Sequence, residues 1–186
     1  MPRLMIIIGS TRPGRIGLPI GTWFAETATA HAGFELDVAD LAEINLPFLD
    51  EPKHPSRGEY LHEHTKRWSA RVDAADAYVL VTPEYNFAMT APVKNAFDFL
   101  SREWKNKPIG LVSYGGISSG LRAAQMIKQV VTALKMMPLP EQVMIQFAGT
   151  HVVDGVFAPD ESHQKQATVL LDELVRWAEA MKPLRA

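Results

Sequence analysis

The chain has no cysteine, which excludes disulfides, thiolate nucleophiles and cysteine-ligated metal sites together. It also lacks any apolar run long enough to cross a bilayer. The run nearest the N-terminus, Leu4 to Ile8, is too short for the core of a signal peptide, and no small-residue cleavage site follows it. Neither sign of charge dominates. With 19 basic residues against 21 acidic ones, the concentrated basic face that nucleic acid or an anionic membrane requires is not expected. No repeat and no low-complexity tract interrupts the 186 residues, a length that one domain, 1–186, can fill with its own core. A reducing, cytoplasmic location fits the missing cysteines.

What is present is an alternation of two patterns. Leu4–Ile8, Ala77–Val81 and Ile109–Val112 are short, branched and without polar alternation, as strands buried on both faces are. Residues 34–38 alternate strictly, the mark of an edge strand with one wetter face, and Val143–Ile145 supplies a fifth strand. Helical periods fill the gaps. Ile20, Phe24, Ala28 and His31 share one side of a helix ended by Gly33. Thr90 caps a second, with Pro92 in its first turn and Val93, Ala96, Phe97 and Leu100 on its apolar side. Leu121, Ala124, Ile127, Val131 and Leu134 mark a third. Ala167 to Met181 form the last, capped by Asp160 and stopped by Pro183. Such alternation predicts an α/β fold: a doubly wound parallel sheet with right-handed crossovers and helices on both faces. Residues 43–59, with Pro47, Pro52 and Pro55, form a long irregular connection and a candidate functional loop.

In sheets of this kind ligands bind beyond the carboxyl ends of the strands, where the strand order reverses. That singles out three loops. The first runs from Gly9 to Gly17 between a strand and a helix, so backbone N–H groups and the helix dipole converge there. Gly9 and Gly14 permit tight turns, and Gly17 lets the helix lie close to the sheet. Ser10 and Thr11 donate from hydroxyls, while Arg12 and Arg15 add charge-assisted bonds of about 1.5–3 kcal/mol each. The glycine spacing matches neither the dinucleotide fingerprint nor the P-loop. A glycine-rich turn with surface arginines is the competing reading. In the third-strand loop, Pro83, Glu84, Tyr85, Asn86 and Phe87 offer two flat aromatic faces to a planar ligand, although core packing can claim one of them. The fourth-strand loop sets Ser113 and Tyr114 beside Gly115 and Gly116, which let a ligand reach the backbone. Ser118 or Ser119 can cap the helix that follows. An anion at one end and a flat ring at the other is the outline of flavin mononucleotide.

In their order, GSTRPGRIG, INLPFLDEP, TPEYNFAMTAPVKNAFDFL and SYGGISSGLRA resemble the NAD(P)H-dependent FMN reductase family, a flavodoxin-like group that includes quinone, azo-dye and chromate reductases. Beyond about residue 140 no motif matches. The resemblance implies a five-stranded flavodoxin-like sheet of order 2-1-3-4-5, FMN as cofactor and NADPH or NADH as electron donor. It implies a phosphate held by Ser10, Arg12, Arg15 and Ile16, and a ring lined by Pro83, Glu84, Tyr85 and Asn86 and by Ser113, Tyr114, Gly115 and Gly116. Peptide N–H groups of residues 84–87 face the ring, and Tyr85, Phe87 and Tyr114 wall the site for flat acceptors. No acid–base pair is required, because the flavin carries the chemistry. The reaction implied is ping-pong, from nicotinamide to FMN and then to a small-molecule acceptor such as a quinone, azo compound or flavin. A homodimer or tetramer is implied too, with two helices expected at the contact, the one holding Lys94, Asn95, Phe97 and Asp98 and the one holding Met126 and Gln129.

Two other readings stay open. One is a flavodoxin-like electron carrier, against which the basic first loop and near-neutral charge argue. The other is an FMN-binding regulatory module without turnover, since fold does not guarantee function. No metal site is expected: His62 and His64 are two apart and point to different sides of a helix, while His54, His151 and His163 stand isolated.

Overall fold

In the computed structural model, which describes residues 1–185, the apolar runs become β1 (Arg3–Ile8), β3 (Ala77–Pro83) and β4 (Pro108–Tyr114), flanked by β2 (Glu35–Asp40) and β5 (Met137–Ile145). They form one parallel sheet in the order β2-β1-β3-β4-β5, the flavodoxin-like arrangement expected. β3 and β4 are buried along their whole length, while the outer β2 and β5 mix exposed, half-buried and buried residues. β5 is much longer than the apolar pattern Val143–Ile145 suggests, because it opens with Pro138 and Pro140. Prolines are tolerated there because β5 is an edge strand, and the register shifts between Ile109 and Leu111 opposite them.

Alternate residues of each strand enter two separate cores. Leu4, Ile6, Val79, Val81 and Val112 pack under α1 (Gly17–His31) and α6 (Glu161–Met181). Met5, Ile7, Tyr78, Leu80 and Leu111 pack under α3 (Glu63–Asp73), α4 (Ala91–Asp98) and α5 (Leu121–Ala133). Each fully buried Leu or Ile contributes about 1.5–3 kcal/mol, so both faces of the sheet are committed to structure and only its rims are left for function.

Thr90 and Asp160 cap their helices as expected. Other boundaries differ. α1 ends at His31 with Ala32 left-handed at the cap; Gly33 follows because His31 and Val175 leave no room for a Cβ. α5 starts from left-handed Gly120, and Ser118 Oγ accepts from its N–H instead of capping the helix directly. The loop at 43–59 is partly regular, with α2 (Leu41–Ile44) at its start and a 3-10 turn at Pro55–Arg57. Asn95 pins it, donating to Pro47 O and accepting from Leu49 N–H. That engages Asn95, which stays half-buried, while Phe97 of the same helix packs in the core. After β5 comes a short hairpin, β6 (Val152–Val153) and β7 (Val156–Phe157), turned by left-handed Asp154 and Gly155. Among the described residues no helix is long and apolar enough to cross a membrane.

Candidate functional site

The three chosen loops meet in one cavity of about 240 Å³ at the carboxyl rim of the sheet. Ser10, Arg12, Arg15 and Ile16 come from the β1–α1 loop; Pro83, Glu84 and Tyr85 follow β3; Tyr114 and Gly115 follow β4. Gly149, in the 3-10 turn after β5, completes the lining. No motif marks it, and a lone glycine in a short tail segment is its only sequence signal.

The first loop is built to leave positive potential unclaimed. α1 has no side-chain cap and no acidic residue in its first turn, so its leading N–H groups are left for an anion. Ser10 is buried, and its Oγ lies 3.2 Å from Tyr85 Oη, which joins the first loop to the third. Arg15 donates to Ser10 O at 2.9 Å and to the carboxylate of Asp40 at the end of β2. Its charge is therefore matched within the chain, and its position is fixed. Arg12 is exposed and has no ion-pair partner among the described residues, which makes it the free cation of the loop. A Cβ on Gly9 would fall 2.5 Å from Val93, and one on Gly17 would fall 2.3 Å from Tyr114 Oη. Gly17 thus lets the start of α1 lie close to the sheet, where the Tyr114 side chain at the end of β4 fills the space. Thr11 lies apart, lining a second hollow with Leu41, Phe48 and Pro92.

The third loop closes on itself. Tyr85 and Ala88 exchange both backbone hydrogen bonds around Asn86 (φ 50°) and Phe87 (φ 68°), a two-residue turn of the primed type. Asparagine suits that conformation; phenylalanine does not, at a cost of about 1–2 kcal/mol. The N–H groups of both residues form no bond among the described residues. Phe87 is exposed, and the Arg122 guanidinium sits 3.9 Å from its ring centre. Arg122 also grips Glu84, with its N–H at 3.0 Å and its Nε at 2.6 Å. Burial pushes the Glu84 carboxyl upward, but the bonds from Arg122 and Ser118 outweigh it and hold it below the usual range. Asn86 and Phe87 do not themselves line the cavity.

The fourth loop differs most from expectation. Tyr114 is buried among core side chains, so it is a floor and not an open wall, and burial pushes its hydroxyl pKa up so that it stays neutral. Ser113 is also buried. Its Oγ donates to Ser119 O and accepts from Gln142, supporting the loop from behind. Glu84 N–H donates to Tyr114 O, tying the loops together, and Gly116 faces open space.

Residues 2–150 match the sequence model of a family described as NADPH-dependent FMN reductase. The chain belongs to that family. All ten cavity-lining residues fall within the span of the NADPH-dependent FMN reductase match, and the hairpin and α6 fall outside it. The chain is 38% identical, over 85% of its length and 80% of the relative's, to an NAD(P)H-dependent FMN reductase of Schizosaccharomyces pombe. It is 30% identical to an NAD(P)H:quinone oxidoreductase of Solanum tuberosum, over 75% and 73% of the two chains. In structure it superposes on the flavoenzyme NAD(P)H:(acceptor) oxidoreductase FerB of Paracoccus denitrificans with a TM-score of 0.76, covering 97% and 98% of the chains at 21% identity, a likeness of fold.

Two pairs of histidines also depart from expectation. His62 precedes α3 in an extended conformation, so its ring stacks on that of His64, centroids 5.2 Å apart, with Asp50 3.0 Å from His64. His151 and His163 are not isolated: their rings stand 5.0 Å apart.

Proposed function

We propose that this chain is an NAD(P)H-dependent oxidoreductase that holds FMN across the three loops and passes electrons to a small flat acceptor, a quinone or an azo compound. One observation carries the reading: a single cavity joins the uncapped, arginine-lined start of α1 to the exposed turn after β3. FMN bound there would supply the hydride- and electron-transfer chemistry between NADPH or NADH and the acceptor.

The chain's own residues bind, orient and shield. Ser10, Arg12 and the leading N–H groups of α1 hold the phosphate, with Arg15 setting the loop through Ser10 O. The unbonded N–H groups of Asn86 and Phe87, just beyond the cavity lining, would be available as donors to a flavin ring and would stabilise negative charge on it. Glu84 stays ionised against Arg122 and serves to fix the turn, not to donate a proton. The exposed Tyr85 and Phe87 leave one side open, on which donor and acceptor bind in turn. The side chains of Phe48, Phe87 and Ile117, exposed on loops of this rim, support a second copy of the chain packing nearby as a homodimer.

The test is direct. The protein is loaded with FMN under nitrogen, and NADPH is added. Bleaching of the yellow band, and its return with a quinone, is expected, with parallel lines in two-substrate initial-rate plots. A bound flavin that neither NADPH nor NADH bleaches would instead indicate a carrier or a regulatory module.

A further inference from the structure

We propose that His151, Asp160 and His163 form a binding site for one divalent transition-metal ion of the zinc type, which clamps the β6–β7 hairpin to the start of α6. Each residue offers a ligand atom within 4.8 Å of the other two. His163 Nδ1 lies 3.1 Å from Asp160 Oδ1. Two ligands bound at about 2.0–2.2 Å to a tetrahedral ion stand roughly 3.3 Å apart, so this pair is already set. Metal at that nitrogen replaces the hydrogen bond it now accepts from Asp160 N–H. His151 completes the set after closing by at most about 1.5 Å, and three protein ligands leave a position for water.

The sequence alone hides this site, since 12 positions separate its two histidines; the hairpin assembles it. Left-handed Asp154 and Gly155 fold the chain back, and Ala158 N–H donates to His151 O at 2.7 Å. On the other side the reciprocal cap fixes Asp160 against His163, whose N–H donates to Asp160 Oδ1 at 2.8 Å. Buried Phe157 lies beside both rings, at 6.1 Å from His151 and 5.8 Å from His163, and supplies an apolar wall. The imidazole of His151 has no hydrogen-bond partner among the described residues, although it sits between two otherwise well-bonded elements. Imidazole and carboxylate together suit zinc, cobalt and nickel better than magnesium or calcium. The site does not depend on the flavin reading.

The untagged full chain, stripped with EDTA and desalted, is titrated with Co2+ by visible absorption and with Zn2+ by calorimetry. Saturable binding of one ion per chain is expected. His151→Ala should weaken it at least about tenfold. Asp160→Asn, which keeps the helix cap, should weaken it as well. Zn2+ should raise the melting temperature of the wild type but not of His151→Ala, and replacing both His62 and His64 by Ala should leave binding unchanged. No saturable binding, binding that survives His151→Ala, or binding that disappears with His62 and His64 would overturn the proposal.

Discussion

At the carboxyl rim of the sheet the side chain of Arg15 is 13% exposed and meets the carboxylate of Asp40, itself 6% exposed. At the amino rim Lys107 is 5% exposed and, among the described residues, donates only to uncharged oxygens: the carbonyls of Val72 and Asp73 and the hydroxyl of Tyr78. Trp104 and Tyr78 seal that second rim edge to face. The two cations are similarly enclosed but differently served. Arg15 keeps a counter-charge beside a cavity that needs a fixed, positive loop. Burial pushes Lys107 down to about 8, close to losing its charge. Beside the cavity the enclosed cation is held by a carboxylate, whereas at the opposite rim Lys107 is held by neutral oxygens, with the Arg185–Asp76 ion pair on the same rim.

The largest expected effect breaks the first pair. Asp40→Ala strands a buried guanidinium and should cost about 3–5 kcal/mol in a denaturant titration, with loss of FMN affinity because Arg15 no longer holds Ser10. Asp40→Asn, which keeps one acceptor oxygen for either Arg15 or Ala42 N–H but not for both, should lose less.

A pH titration of stability addresses the second cation. Folded Lys107 releases its proton near pH 8 and the unfolded chain near 10.5, so between these values the unfolded state binds more protons and stability rises with pH. The rise is at most about 3 kcal/mol. Buried Tyr78, whose pKa is pushed up, reverses the slope above about pH 10 as the unfolded tyrosine ionises first. Lys107→Met should abolish the rise and leave flavin binding intact.

Gly17→Ala tests whether the carboxyl rim is as rigid as its contacts imply. A Cβ 2.3 Å from Tyr114 Oη should cost about 1–3 kcal/mol and weaken FMN binding, and Tyr114→Phe in the same chain should restore part of both.

The smallest stability change is expected at the open side. Phe87→Gly relieves a left-handed phenylalanine, about 1–2 kcal/mol, but gives up the contact with Arg122, about 0.5–1 kcal/mol, and adds glycine's unfolded-state entropy of about 0.5–1 kcal/mol. The melting temperature should hardly move, while KM for a quinone should rise with little change in kcat.

The central strands are legible in the sequence because burial on both faces leaves runs such as Leu4–Ile8 without polar residues, and the alternation around Leu36 marks the edge. The three loops are legible because a ligand-facing turn needs residues that ordinary turns do not combine. What could not be read depends on long-range placement. Asp40 has no local feature that marks it as the partner of Arg15. Tyr114 looks like a wall until the strand is known to run to that residue, which buries its ring. Gly149 enters the cavity only because β5 delivers it there. The histidine pairs depend on one cap and one hairpin, although the Asp154-Gly155 dipeptide did carry a turn signal.

The central claim is that the first loop grips a phosphate while the other two meet a ring. Parallel titrations of the flavin-free protein with FMN and with riboflavin, which differ only in that phosphate, test it most directly. A bidentate Arg12, with two charge-assisted bonds of about 1.5–3 kcal/mol each, predicts that FMN binds at least about a hundredfold tighter, with most of the margin lost in Arg12→Ala. Equal affinities for the two flavins, or a margin that Arg12→Ala leaves intact, would contradict it.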